Sequence, residues 1–110
     1  MKLPYGDEAI IDPRKVIDYC LSPDHDDGKH KARLFQNLLG LTVEHAAGLL
    51  DALKEAAASG DALLGRLDRH GQRYVIDFEL VGPRRRAIIR SAWIIRTSEI
   101  VPRLVTCYIP

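Results

Sequence analysis

The chain should fold as an α+β domain in which N-terminal helices pack on a four-stranded antiparallel β-meander. Three observations predict this. Apolar residues recur at helical spacing as far as Ser59, they alternate with charged residues from Ala62 onward, and the breaks in the second half are of hairpin length. With 110 residues, 46% hydrophobic and 28% charged, the chain can bury one modest core but not two. Residues 1–110 are therefore expected to form one domain, with helices over about 13–59 and a sheet over about 62–109.

The helices carry their own punctuation. Asp12 offers an acceptor to free amides and Pro13 presets φ, so 13-PRKVIDYCL-21 reads as a short helix ended by Ser22-Pro23. A second runs from Lys29 to Leu39 and is closed by Gly40. A third starts at Thr42 as cap and ends at Ser59, before Gly60. Its Ala46, Leu49, Leu50, Leu53 and Ala57 form the stripe that packs on a core.

The strands read as 62-ALLGRLD-68, 72-QRYVIDFELV-81, 86-RAIIRSAWIIR-96 and 102-PRLVTCYI-109. Connections as short as Arg69-His70-Gly71 and Gly82-Pro83-Arg84-Arg85 force antiparallel neighbours. Alternation places Tyr74, Ile76, Phe78 and Leu80 on one face of the second strand, opposite Arg73, Asp77 and Glu79. In the third, Arg90 shares a face with Ile88, Ala92 and Ile94. In the fourth, Thr106 and Tyr108 share one with Leu104.

Composition narrows the function classes. Sixteen Lys and Arg against 15 Asp and Glu leave a net charge of +1, so a polyanionic partner would have to be met by local patches. Aromatic residues, at 6%, offer little for base stacking. Cys20 and Cys107 are too few for a disulfide scaffold, which favours a cytoplasmic setting. The opening 1-MKLPYGDEAIIDP-13 does not read as an export signal, and no apolar run reaches the roughly 20 residues of a membrane span.

The second helix holds the point of chemical interest. Ala32, Leu34, Phe35, Leu38 and Leu39 fall on one side and Lys29, His30, Arg33, Gln36 and Asn37 on the other, yet Lys31 sits among the apolar group. Its stem could snorkel out past the helix end. A cation in the first turn also opposes the helix dipole, and an anion removes that objection. Lys31, His25 and His30, with helix amides and Gly28 for close backbone approach, would make a phosphate-sized pocket. Asp24, Asp26 and Asp27 fit capping and turn roles. The cluster from Asp24 to His30 lacks the spacing of a metal site, so neither metal nor cofactor is expected. Cys20 fits as a small hydrophobe, His45 and His70 as surface residues, and the cations at Arg84, Arg85 and Arg86 as a solvated hairpin tip able to track an RNA backbone.

The run His25-x-x-Gly28-x-x-Lys31-Ala32-x-x-Phe35, preceded by KLPYGDEAIID and VIDYCLSP and followed by GQRYVIDFEL and the closing RSAWIIRTSEIVPRLVTCYIP, covers nearly the whole chain. It resembles a bacterial family of uncharacterised small domains found alone or at the ends of polymorphic-toxin and phage-associated proteins. The order of helices and strands, with Thr-x-Tyr in the last strand, is similar to the metal-independent ribonuclease toxins of the barnase, EndoU, colicin and RelE fold.

That second resemblance implies RNA cleavage by the neighbouring 2′-hydroxyl. His25 would be base or acid, since imidazole can do either at neutral pH. Lys31 and Arg90 would neutralise charge on the phosphate, while Thr106 and Tyr108 bring hydroxyls. Alternatively Arg90 pairs with Asp77 or Glu79 on the adjacent strand. Two functions follow from different classes: a toxin-like endoribonuclease covered by a small acidic antitoxin or immunity protein, or a non-catalytic accessory domain binding an anion or a protein. Neither requires a membrane, and the residues do not specify a homo-oligomer.

Overall fold

Asp12 begins the helical half by accepting the Arg14 amide at 3.0 Å, and the chain then winds more widely than an α-helix. The computed structural model describes residues 1–110. Val16–Cys20 is π-helical, closed by the Leu21 amide on the Val16 carbonyl at 2.9 Å. This wide turn buries Val16, Cys20 and Leu21 together and leaves Tyr19 half-buried at its side. Helix α1, Lys29–Leu34, runs into a second π-helical stretch, Phe35–Leu39, and ends at Gly40 with φ 74°. Phe35 and Leu39 are fully buried, whereas Leu34, at the margin of the expected apolar stripe, is 44% exposed.

Thr42 opens the third helical unit, and its cap is reciprocal. Its hydroxyl accepts from the Glu44 amide, and its own amide donates to His45 Nδ1 at 3.0 Å. His45 is thus a half-buried capping partner rather than a free surface residue. A short 3-10 turn, Val43–His45, leads into α2, Ala46–Ser59, which buries Ala46, Leu49, Leu53, Ala56 and Ala57. Leu50 sits half-buried beside them.

The fold is α+β: helices first, then an antiparallel sheet in the order β1-β2-β3-β4, with β1 Ala62–Asp68, β2 Gly71–Val81, β3 Arg86–Arg96 and β4 Arg103–Tyr108. One sheet face, with Tyr74, Ile76, Ile89 and Trp93, meets Phe35, Leu39, Leu49 and Leu53 in the core. The polar group buried there is satisfied. Trp93 Nε1 donates to Ser91 Oγ at 2.9 Å, and Ser91 donates to the Ile76 carbonyl at 2.8 Å. The Gly82–Arg85 turn folds back on the helices, its Arg84 guanidinium donating to the Asn37 carbonyl at 3.1 Å. A cation there suits the carbonyl end of a helix.

The outer edge of β4 is partly covered by the N-terminal segment. The Ile10 amide donates to the Pro102 carbonyl at 2.8 Å and Leu104 returns a bond to Ile10 at 3.0 Å. No helix is long and apolar enough to cross a membrane.

Simple alternation fails in β4. Trp93 pairs with Leu104 but Ala92 pairs with Thr106, so Val105 is an extra residue in the ladder. Leu104 and Cys107 consequently face the core, and Thr106 and Tyr108 turn to the other face with Arg90. The expectation that Leu104, Thr106 and Tyr108 share a face is corrected by this bulge, which reverses the side-chain alternation beyond it.

The β1–β2 hairpin is held by Asp68, which accepts from the His70 amide at 2.9 Å, Arg66 Nε at 2.9 Å and Arg73 Nε at 3.2 Å. The His70 amide foremost, then the two guanidiniums, hold its carboxyl down at about 2 from the ordinary 3.8. A depressed carboxyl stabilises the fold above the unfolded value and loses that contribution as pH falls through the folded one. Asp68→Asn should therefore flatten the decline of Tm between pH 3.8 and 2. Thermal melts across that window check it, and an unchanged decline would assign the acid sensitivity to other carboxylates.

Candidate functional site

Between the Val16–Cys20 segment and β4 lies an open cleft of about 500 Å³. Three stretches line it: Asp12 to Tyr19 from the first helical segment, His25 and Lys31 from the loop and α1, and Val105 with Thr106 from the bulge. Lys31 is half-buried, and its ammonium donates to Thr106 Oγ1 at 3.0 Å and to the Tyr19 hydroxyl at 3.5 Å. The same nitrogen stands 4.7 Å from the Tyr19 ring centre and 5.4 Å from that of Tyr108. No carboxylate lies within ion-pair distance of it. The ammonium has donors only, so both hydroxyls serve it as acceptors and their protons point elsewhere. The Tyr19 proton is free for the cleft, and that of Thr106 for the cleft or for Cys20 Sγ at 3.7 Å.

His25 stands edge-on to Tyr19, ring centres 4.7 Å apart. Its Nδ1 accepts the amides of Asp27 and Gly28, each at 3.0 Å. Both bonds need a lone pair on Nδ1, so the hydrogen-bond network assigns the ring proton to Nε2 and makes His25 a donor. These two amides are thereby engaged within the loop and do not form the anion cradle that the sequence suggested. Gly28 is buried for a different reason: a Cβ there would collide with the Tyr19 carbonyl. His30 is exposed and does not line the cleft.

Arg90 is held away from the cleft by a two-point grip on Asp77, Nε at 2.9 Å and Nη2 at 3.0 Å. Asp77 chiefly, with Tyr108 contributing, pushes the guanidinium further into its charged form. Tyr108, the partner of Arg90 across the β3–β4 ladder, approaches Lys31 with its ring. The acidic run Asp24, Asp26 and Asp27 is exposed, and no group of three His, Cys, Asp or Glu side chains converges anywhere.

Beneath the cleft Cys20 and Cys107 are buried free thiols, and Cys20 Sγ lies 3.7 Å from Thr106 Oγ1. The neighbouring Cys107 thiol foremost, aided by Thr106 and the Lys31 charge and opposed by desolvation, draws the Cys20 thiol below its ordinary value. Cys107 is pushed up by the neighbouring Cys20 and by burial. Cys20 is fully buried in the hydrophobic core, as a small hydrophobe would be.

Residues 2–110 match the family described as Domain of unknown function (DUF6883). The chain belongs to the DUF6883 family. This DUF6883 domain is also similar to a chain of the contact-dependent growth inhibition toxin–immunity protein complex from Klebsiella pneumoniae 342. The TM-score is 0.71 and the identity 18%, over 90% of this chain and 97% of that chain. At that identity the likeness is one of fold. No curated protein matches the DUF6883 chain.

Of the residues singled out in the sequence, the DUF6883 structure gathers His25, Lys31 and Thr106 at one cleft, with the Tyr108 ring beside Lys31. Sequence reasoning missed Arg14, Lys15, Asp18 and Tyr19, which supply much of the cleft wall. Their one available signal was an acid and an aromatic side by side in a short helix, immediately before the acidic loop that leads to Lys31.

Proposed function

We propose that this DUF6883 domain is a toxin-like, metal-independent endoribonuclease of a bacterial toxin–antitoxin or polymorphic-toxin system, with the scissile phosphate bound at Lys31. The observation that carries this reading is a half-buried ammonium surrounded by hydroxyls and rings but by no carboxylate. Buried cations are ordinarily matched by an anion, and here the protein supplies none. The likeness in fold to a chain of a toxin–immunity complex supports the toxin setting, and in that setting a small acidic immunity protein would cover the cleft.

In such a reaction the 2′-oxygen bonds to phosphorus and the bond to the 5′-oxygen breaks. Asp18 is the lining carboxylate without an ion pair, because Asp12 is bound by Arg14 at 2.8 Å. Asp18 takes the 2′-hydroxyl proton. Lys31, Thr106 and the Nε2 proton of His25 donate to the phosphate oxygens as their charge grows. Tyr19 gives its hydroxyl proton to the leaving oxygen, and Lys31, which donates to that hydroxyl, steadies the charge left on Tyr19. Arg90 is a positioning residue that acts through Tyr108.

The purified domain should cleave bacterial RNA in excess chelator, and its induction without a partner should arrest growth. Asp18→Asn should lower cleavage by about 10²-fold or more, the scale of a lost general base. Intact RNA at high protein concentration, or cleavage abolished by the chelator, would sink the metal-independent ribonuclease. The engaged Nδ1 of His25 favours a second reading, a non-catalytic anion- or protein-binding accessory domain. Stabilisation by phosphate without any RNA cleavage selects it.

A further inference from the structure

Beside the Lys31 cleft, and sharing Asp12, Lys15 and Val105 with it, is a second cavity of about 290 Å³. Arg73, Arg96 and Arg103 join Lys15 in its walls, against the single lining carboxylate of Asp12. That carboxylate is already occupied, since Arg14 grips it through Nε at 3.1 Å and Nη2 at 2.8 Å. The nearby acids are shared. Glu99 accepts two bonds from Arg103, each at 2.9 Å, and lies 3.9 Å from Arg96, too far for a hydrogen bond. Asp68 divides itself between Arg66 at 2.9 Å and Arg73 at 3.2 Å.

Each guanidinium carries five N–H donors, so Arg73 and Arg96 keep most of theirs open, and the Lys15 ammonium makes no bond at all. The whole chain has a net charge of +1, which makes this concentration of cations local to one groove.

We propose that this second cavity is a phosphate-binding subsite that holds a neighbouring phosphate of the same single-stranded RNA bound at Lys31. The inference rests on the ribonuclease reading for the identity of the polymer. Two features point to nucleic acid. The guanidinium forks match phosphate geometry, and the two cavities adjoin across shared Asp12, Lys15 and Val105, so neighbouring phosphates of one strand can reach both. The apolar part of the groove, Ile94 and Leu104, gives the sugar a surface to lie on.

A fluorescent RNA hexamer with 2′-O-methyl sugars tests this by anisotropy across a salt series, because blocking the 2′-oxygen makes the readout independent of cleavage. Lys15→Gln and Arg96→Gln, both exposed positions, should each weaken binding roughly tenfold and reduce the salt slope by about 1. Arg96→Lys should keep the slope, and Lys54→Gln, exposed on α2 and outside both cavities, should leave binding as in wild type. Thermal melts confirm that the variants are folded.

Unchanged affinity and slope in both Gln variants would overturn the subsite. Binding of a poly-glutamate peptide as tight as that of the hexamer, with the same loss in the variants, would overturn the assignment to RNA in favour of an acidic protein. If the hexamer behaves as expected while unmodified RNA stays intact, the ribonuclease reading falls and the subsite stands.

Discussion

Lys31→Met should abolish the response of the domain to phosphate while leaving its stability within about 1 kcal/mol of wild type. In wild type, phosphate at a hundred times its Kd should add about 2.7 kcal/mol to unfolding, and the Met variant should show none of it. Methionine keeps an unbranched stem between Tyr19 and Tyr108 and removes only the charge that they face. Because no carboxylate is paired with Lys31, its removal strands no buried anion. The two hydroxyls it bonds keep other outlets, Thr106 to Cys20 and Tyr19 to the cleft.

Lys31→Ala should be less stable than Lys31→Met, since it loses the stem as well. Any RNA cleavage should fall by about 10²-fold or more in both variants, the scale of a lost stabiliser of oxyanion charge. Paired thermal melts with and without phosphate decide it. Equal stabilisation of the Met variant and wild type would place the anion elsewhere.

Trp93→Ala should be the most damaging single change to the core, costing about 3–5 kcal/mol. The indole is fully buried on β3 in the middle of the sheet, between the Leu104 pairing on β4 and Tyr74 on β2. Truncation leaves a large cavity and also takes the donor from Ser91 Oγ. Trp93→Phe separates the two effects. It keeps most of the ring and loses only the hydrogen bond, which should cost about 0.5–1.5 kcal/mol beyond the change in volume. Against a total stability of about 5–15 kcal/mol for a domain of this kind, the alanine variant should lose much of its denaturant midpoint. A loss below about 1 kcal/mol would mean that the sheet does not pack around this residue.

The architecture was legible because its signals are local. Asp12-Pro13, Gly40, Thr42 and Gly60 mark helix ends in the structure too: Asp12 and Thr42 accept amides, Gly40 takes a positive φ, and a Cβ at Gly60 would meet the Ala56 carbonyl. The four strands were legible from alternation and from turns too short for anything but hairpins, and β2 and β3 present the expected faces throughout. Lys31 stood out for the same kind of reason, as one charge on an apolar stripe.

The site itself was decided by tertiary structure. No local rule marks Val105 as a bulge, yet that one extra residue carries Thr106 and Tyr108 to the face where Lys31 can reach them. Arg90 is as plausible a phosphate ligand as Lys31 in the sequence, and only the register that sets it opposite Asp77 removes it from the cleft. His25 becomes a donor because two amides of its own loop converge on Nδ1. Tyr19 reaches the site because a wide helical turn orients it there. Periodicity and capping depend on a residue and its near neighbours, as does the His25 tautomer, whereas register and bulges depend on which distant groups arrive within about 3 Å, and folding alone determines that.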